Sequence, residues 1–251
     1  MNYTLALVRS ALFWIAFVLG SAVNSIAGVL VMPFSRRAVV ACVRGWSRWH
    51  RWICRFILGQ RIVIDGDMPD GPYLYVFKHE SAFETIEQPL LFKHPAVFAK
   101  EQLLNVPVWG QTAAAYGLIP VDRDGGPKAM RAILTAARAA LGEGRPLVLF
   151  AEGTRVARGS APPLRAGFAG IYRMLGVPVI PVAVDSGDAN PPRQWVKYPR
   201  TITYKVGAMI EPGLPRDEAE ERVRAAINAL NPPAALLSNS AAAARQFGDC
   251  R

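Results

Sequence analysis

Residues 10–35 run for 26 positions without a charged side chain. Such a stretch, with apolar blocks at 11–19 and 26–32, is long enough to cross a hydrocarbon core about 30 Å thick as one helix. Whatever the chain folds into must give this segment an apolar partner. Gly20, Ser21, Asn24 and Ser25 soften its middle, so a crossing helix and a re-entrant helix that dips and returns both fit. A cleaved signal peptide, with Arg9 as its basic flank, is a competing reading. Against it, the apolar run resumes after Asn24, whereas a signal core ends at small residues. Pro33 is expected to end the helix.

The next segment changes character. No Asp or Glu precedes Asp65, so Arg36, Arg37, Arg44, Arg48, Arg51, Arg55 and Arg61 form an uncompensated basic zone in a chain of formal net charge +10. Such a zone suits nucleic acid or anionic lipid, and its neighbours favour lipid. On a helical wheel Arg44, Arg48, Arg51 and Arg55 share one stripe, while Cys42, Trp46, Trp49, Ile53, Phe56 and Ile57 lie opposite. Four of the six Trp residues, Trp14, Trp46, Trp49 and Trp52, fall in the first 52 positions, and Trp favours the headgroup level. An ordinary helix packing its aromatic face on the following domain is the alternative, and both can hold along one helix. Arginines after the apolar run predict a cytoplasmic carboxyl side, hence an inner-membrane protein whose main domain faces the cytoplasm. Cys42, Cys54 and Cys250 show no metal-ligand spacing and no paired framework, which fits a reducing compartment.

Beyond Gly59 short apolar runs alternate with helical patterns. Strands are expected over 61–65, 73–77, 96–99, 147–150, 179–184 and 201–206, and helices over 82–92, 106–116, 127–141, 167–175 and 216–230. This alternation implies an α/β domain with a mixed, largely parallel sheet flanked by helices. The chain therefore divides into a membrane-anchoring two-helix segment (1–58), an α/β domain (59–230) and a loosely held tail (231–251) rich in Ala, Ser and Asn.

At the expected carboxyl end of the second strand stands Lys78-His79-Glu80-Ser81-Ala82-Phe83-Glu84. An imidazole titrates near neutral pH and can take a proton from a hydroxyl, while a carboxylate five residues on can fix its tautomer. The same letters also spell a capping box, Ser81-x-x-Glu84, in which Ser81 caps the helix and Glu84 reaches back to a backbone N–H. Three further clusters sit past apolar runs: Lys100 after 96–99, Arg123 after 118–121, and Glu152-Gly153-Thr154-Arg155 after 147–150. Each alone reads as a solvated strand end; together, Lys100, Arg123 and Arg155 are three cations suited to one phosphate.

In their order and spacing these blocks resemble the membrane-bound glycerolipid acyltransferases, in particular the bacterial 1-acylglycerol-3-phosphate acyltransferases. The family's His-x4-Asp motif is matched by His79 to Glu84, its arginine block by 119–123, its Phe-Pro-Glu-Gly-Thr-Arg block by 150–155 and its final proline-containing block by 177–184. Glu84 replaces the usual aspartate and Ala151 the usual proline. The resemblance implies that His79 is the general base and Glu84 its orienting carboxylate, with the acyl group passing directly from an acyl thioester to a lysophospholipid hydroxyl. It implies that Lys100, Arg123 and Arg155 hold the acceptor phosphate, that Glu152 hydrogen-bonds the glycerol, and that Gly153 and Thr154 complete the binding loop. Backbone N–H groups around Gly153 are candidates for the oxyanion. The implied partners are acyl-acyl carrier protein or acyl-coenzyme A, a lysophospholipid and an anionic membrane, with no nucleic acid and no cofactor or metal. Transfer to another lysolipid, such as a lyso-ornithine lipid, is the nearest rival. A non-catalytic membrane-binding protein and a hydrolase using His79 on water are the more distant ones.

Overall fold

The computed structural model describes residues 3–122 and 125–232. Among the described residues seven strands form one sheet in the order β1 (Arg61–Asp65), β7 (Thr201–Val206), β6 (Val179–Val184), β2 (Leu74–Phe77), β5 (Leu147–Leu149), β3 (Ala96–Lys100) and β4 (Ile119–Val121). Neighbouring strands are parallel except β6 and β7, which pair antiparallel. The expected mixed, largely parallel sheet is thus present. β4 is an addition that the pattern did not signal: it has three residues and a proline at its centre, which only an edge strand tolerates.

All four residues of β2 are buried, and their alternation serves two layers. Leu74 and Val76 pack with residues of α5 (Gly126–Gly142), α6 (Gly167–Leu175) and α7 (Arg216–Ile227), among them Ala137, Phe168 and Val223. Tyr75 and Phe77 face Phe83 and Phe92 at the ends of α3 (Phe83–Leu91), together with Ile53 and Leu58. A further helix of this domain, α4 (Trp109–Tyr116), starts three residues later than expected. Pro107 disfavours helical backbone at Val106, and Glu101–Asn105 closes instead as a 3-10 turn.

The first two helices form a hairpin. α1 (Tyr3–Val31) turns at Met32-Pro33-Phe34, and Ser35 opens α2 (Arg36–Ile53) by accepting a hydrogen bond from the Ala38 N–H at 3.3 Å. α2 runs on through a π-helical turn, Cys54–Leu58, which Gly59 stops with a left-handed φ of 74°. The aromatic face of α2 is largely spent on α1: Trp46 Nε1 donates to Ser21 Oγ at 2.9 Å and Trp49 Nε1 to the Ala16 carbonyl at 3.0 Å. Two of the striped arginines hold α3. Arg44 donates to the carbonyls of Pro89, Phe92 and Lys93, which the end of that helix leaves unpaired, and Arg51 Nε donates to the buried Glu87 at 2.8 Å. Arg48, Arg55, Trp52 and Phe56 stay exposed.

By length and composition α1 can cross a membrane, yet it lies along the α/β layers. Ser10 Oγ accepts from the Lys197 N–H at 2.9 Å, Trp14 Nε1 donates to the Trp195 carbonyl at 3.0 Å, and Thr112 Oγ1 donates to the Ser25 carbonyl at 3.1 Å. Its other face leaves Leu5, Leu12, Ile15, Leu19, Ile26 and Leu30 exposed.

Candidate active site

Because β2, β3, β5 and β6 run parallel, their carboxyl ends share one edge of the sheet, where α/β proteins commonly bind ligands. His79, the loop 150–155 and Ser186 follow these ends, and Lys100 is the last residue of β3. His79 Nδ1 lies 3.0 Å from Glu84 Oε1, which also accepts from the N–H groups of Glu80 and Ser81 at 2.7 Å each. Oε2 accepts from the hydroxyls of Ser81 and Ser186, again at 2.7 Å each. Ser81 Oγ in turn accepts from the Phe83 N–H at 3.1 Å. The capping-box reading holds only in part: Glu84 reaches back to the Ser81 N–H, but the N-cap is Ala82, which makes no side-chain cap bond, and the same carboxylate stands against the imidazole. Ser186 was not legible as part of this cluster, since one serine after a strand carries no spacing signal and reaches Glu84 only through the fold.

Burial pushes the Glu84 carboxyl up, but hydrogen bonds from His79, Ser81 and Ser186 outweigh it and hold the group below the usual carboxylate range. An ionised carboxylate only accepts, so Nδ1 carries the proton and Nε2 is the basic nitrogen. The imidazole packs on the Phe150 ring at 4.4 Å between centroids, which limits its rotation.

Glu152 occupies a place that the sequence did not suggest. Its side chain is buried, with Oε1 2.6 Å from Lys78 Nζ and Oε2 accepting from the His79 N–H at 3.1 Å. It faces Lys78 and the His79 backbone and does not line the adjoining cavity. Gly153 has a left-handed φ of 71°, and a Cβ there would fall 2.8 Å from Arg165 Cγ, so glycine is required on both counts.

A cavity of about 990 Å³ opens beside His79. Lys100, Thr154, Arg155 and Arg165 supply polar parts of its lining, whereas Val97, Ala113, Leu118, Ile133 and Phe168 make other parts apolar. Asn24, Ser25 and Trp46 of the helical hairpin complete the wall. Lys100 and Arg155 thus line the same cavity as His79. Arg123 lies outside the described residues. Arg165 was missed: it stands just before α6, and its nearness to Gly153 depends on a backbone contact, the Arg165 N–H to the Ala151 carbonyl at 2.9 Å.

Glu80 lies on the far side of the dyad, buried, accepting from the Gly187 N–H at 2.8 Å with Arg158 at 3.5 Å. Desolvation by burial outweighs both and raises its carboxyl to about 7. A glutamate in the unfolded chain titrates near about 4.3, so between there and about 7 the folded state holds more protons and stability falls as pH rises. Glu80→Gln is expected to remove that slope, gaining on the wild type from pH 4.5 to 7. Urea unfolding across that range checks it, and parallel curves for the two proteins would refute it.

Residues 60–185 match the family model described as Acyltransferase. The chain is 32% identical over 211 residues to a 1-acyl-sn-glycerol-3-phosphate acyltransferase of Pseudomonas aeruginosa, covering 81% of each protein. It is 28% identical to one of Cocos nucifera, over 51% of this chain and 42% of that one. The crystal structure of the 1-acyl-sn-glycerophosphate (LPA) acyltransferase PlsC from Thermotoga maritima shares the fold, with a TM-score of 0.70 at 20% identity over 90% of this chain and 97% of that one.

Proposed function

This chain belongs to the Acyltransferase family, and from that premise we propose that it transfers an acyl group from an acyl thioester to the sn-2 hydroxyl of lysophosphatidic acid, forming phosphatidic acid for phospholipid synthesis. The observation that carries the reading is the His79–Glu84 dyad at a cavity lined by cations and by apolar side chains. An acceptor with an anionic head and one acyl chain requires that combination.

His79 Nε2 takes the hydroxyl proton as the acceptor oxygen attacks the thioester carbonyl, and Glu84 stabilises the imidazolium. The tetrahedral intermediate collapses with cleavage of the carbon–sulfur bond, and the departing thiolate receives the proton from His79. The Gly153 N–H already donates to the Phe150 carbonyl at 2.9 Å, so it does not serve the oxyanion. Lys100 and Arg155, joined by Arg165, hold the phosphate, with Arg123 in the same role by resemblance. Thr154 and the turn at Gly153 shape the loop beside them. The donor thiol is carried by acyl carrier protein or coenzyme A.

Residues 1–58 anchor the catalytic domain, 59–230, to the cytoplasmic face of the inner membrane. The exposed apolar stripe of α1, with Trp52, Phe56, Arg48 and Arg55, suits burial in the headgroup region of an anionic bilayer. Contacts to the α/β layers near both Trp14 and Ser25 support a helix lying on that surface.

The test is acyl transfer by purified protein in mixed micelles, with labelled acyl donor and either lysophosphatidate or a lyso-ornithine lipid. Transfer to lysophosphatidate supports the reading, and transfer only to the ornithine lipid refutes the acceptor while keeping the chemistry. Lys100→Ala and Arg155→Ala are each expected to raise the acceptor KM about tenfold, the loss of one charge-assisted hydrogen bond. Equal effects on the donor KM would sink their assignment to phosphate.

A further inference from the structure

We infer that Lys78 is a positioning residue, whose buried ammonium locks the backbone of the catalytic histidine to the phosphate-gripping loop so that the two keep one register. This rests on the proposed roles of His79 and Arg155. Lys78 follows β2 directly, and its side chain is wholly buried. An ammonium has three protons, and here each has an acceptor: Glu152 Oε1 at 2.6 Å, the Ser160 carbonyl at 2.5 Å and Asn228 Oδ1 at 2.7 Å.

Those acceptors come from three places in the chain: Glu152 at the start of the 152–155 loop, Ser160 five residues beyond its end, and Asn228, which closes α7. The tie returns to the site through Glu152, whose Oε2 accepts the His79 N–H at 3.1 Å. On its other side His79 is held by its carbonyl, which accepts from the Val156 N–H at 2.8 Å. The residue carrying the base is therefore clamped, before and behind, to the two ends of the segment that presents Thr154 and Arg155.

Stability alone is a poor reason for this arrangement. A desolvated ion pair costs several kcal/mol per ion to bury, and a well-packed apolar pair is often as stable or more so. What an apolar pair lacks is an acceptor for the His79 N–H. A displacement of about 1 Å between base and substrate can cost about a hundredfold in rate.

The experiment compares Lys78→Met with the double variant Lys78→Met/Glu152→Met in the full chain, reading melting temperature, kcat, and amide exchange over 78–81 and 153–156. The single variant leaves Glu152 buried without its cation and is expected to be less stable. The double variant is expected to regain most of the lost melting temperature, short of wild type by the unpaired His79 N–H, yet to keep kcat about a hundredfold below wild type and to exchange faster in both segments. Recovery of kcat together with stability, or unchanged exchange in the double variant, would overturn the inference. Exchange does not depend on turnover, so a His79→Ala variant that still transferred acyl groups would defeat the proposed function alone.

Discussion

His79→Ala is expected to lower kcat/KM for acyl transfer by about a thousandfold, within the range that a positioned general base contributes. The fold should survive the change. The main chain at residue 79 is held by Glu152 and Val156 through backbone groups that alanine keeps. Glu84 loses one donor but retains the Glu80 and Ser81 N–H groups and two hydroxyls. An unchanged melting temperature beside lost transfer would identify the imidazole as chemistry. Undiminished transfer would remove His79 from the reaction and leave the dyad as an organised helix start.

The parts of this molecule legible in the sequence are those set by local pattern. The continuous apolar runs at 73–77 and 179–184 placed strands of the sheet, and the order of the blocks put His79, Lys100 and Arg155 near strand ends. Pairing at a distance was not legible. Nothing local to Ser186 says that its hydroxyl ends on Glu84 across 102 residues, and nothing local to Arg165 says that it will stand beside Gly153. β4 escaped because three residues with a central proline give no period.

Arg44 and Arg51 show a different limit. A helical wheel separates a basic stripe from an aromatic one, but it cannot say which stripe meets protein. Here both do in part, since α2 and the π-helical turn that continues it are at once a layer of the core through Ile53 and Leu58 and a bearer of exposed Arg48, Arg55 and Phe56. Lys78 and Glu152 were hidden for the opposite reason: charged letters at strand ends read as solvated, and only burial turns them into a clamp.

Glu84 separates two contributions that a histidine–carboxylate pair combines, orientation and charge. In Glu84→Gln the side-chain oxygen can stay where Oε1 now accepts from His79 Nδ1, Glu80 N and Ser81 N, while the amide nitrogen faces the hydroxyls of Ser81 and Ser186. Those hydroxyls can rotate to accept and, being 2.9 Å apart, one can donate to the other, so a single hydroxyl proton loses its acceptor. The tautomer of His79 and the start of α3 are kept, and the charge that stabilises the imidazolium is lost. Glu84→Gln is therefore expected to lower kcat about a hundredfold with the acceptor KM nearly unchanged and the melting temperature close to wild type. Glu84→Ala removes orientation as well and leaves the N–H groups of Glu80 and Ser81 unpaired in the interior, at about 1–3 kcal/mol each, so it should lose activity and stability together. The two carboxylate states also predict a pH effect. A glutamate held below its unfolded value contributes stability in full above about 4.3 and loses it as pH falls through the folded pKa; the glutamine variant should lack that acid-side loss. Turnover of Glu84→Gln at the wild-type level would mean that the negative charge contributes nothing to the rate and that residue 84 serves only to orient.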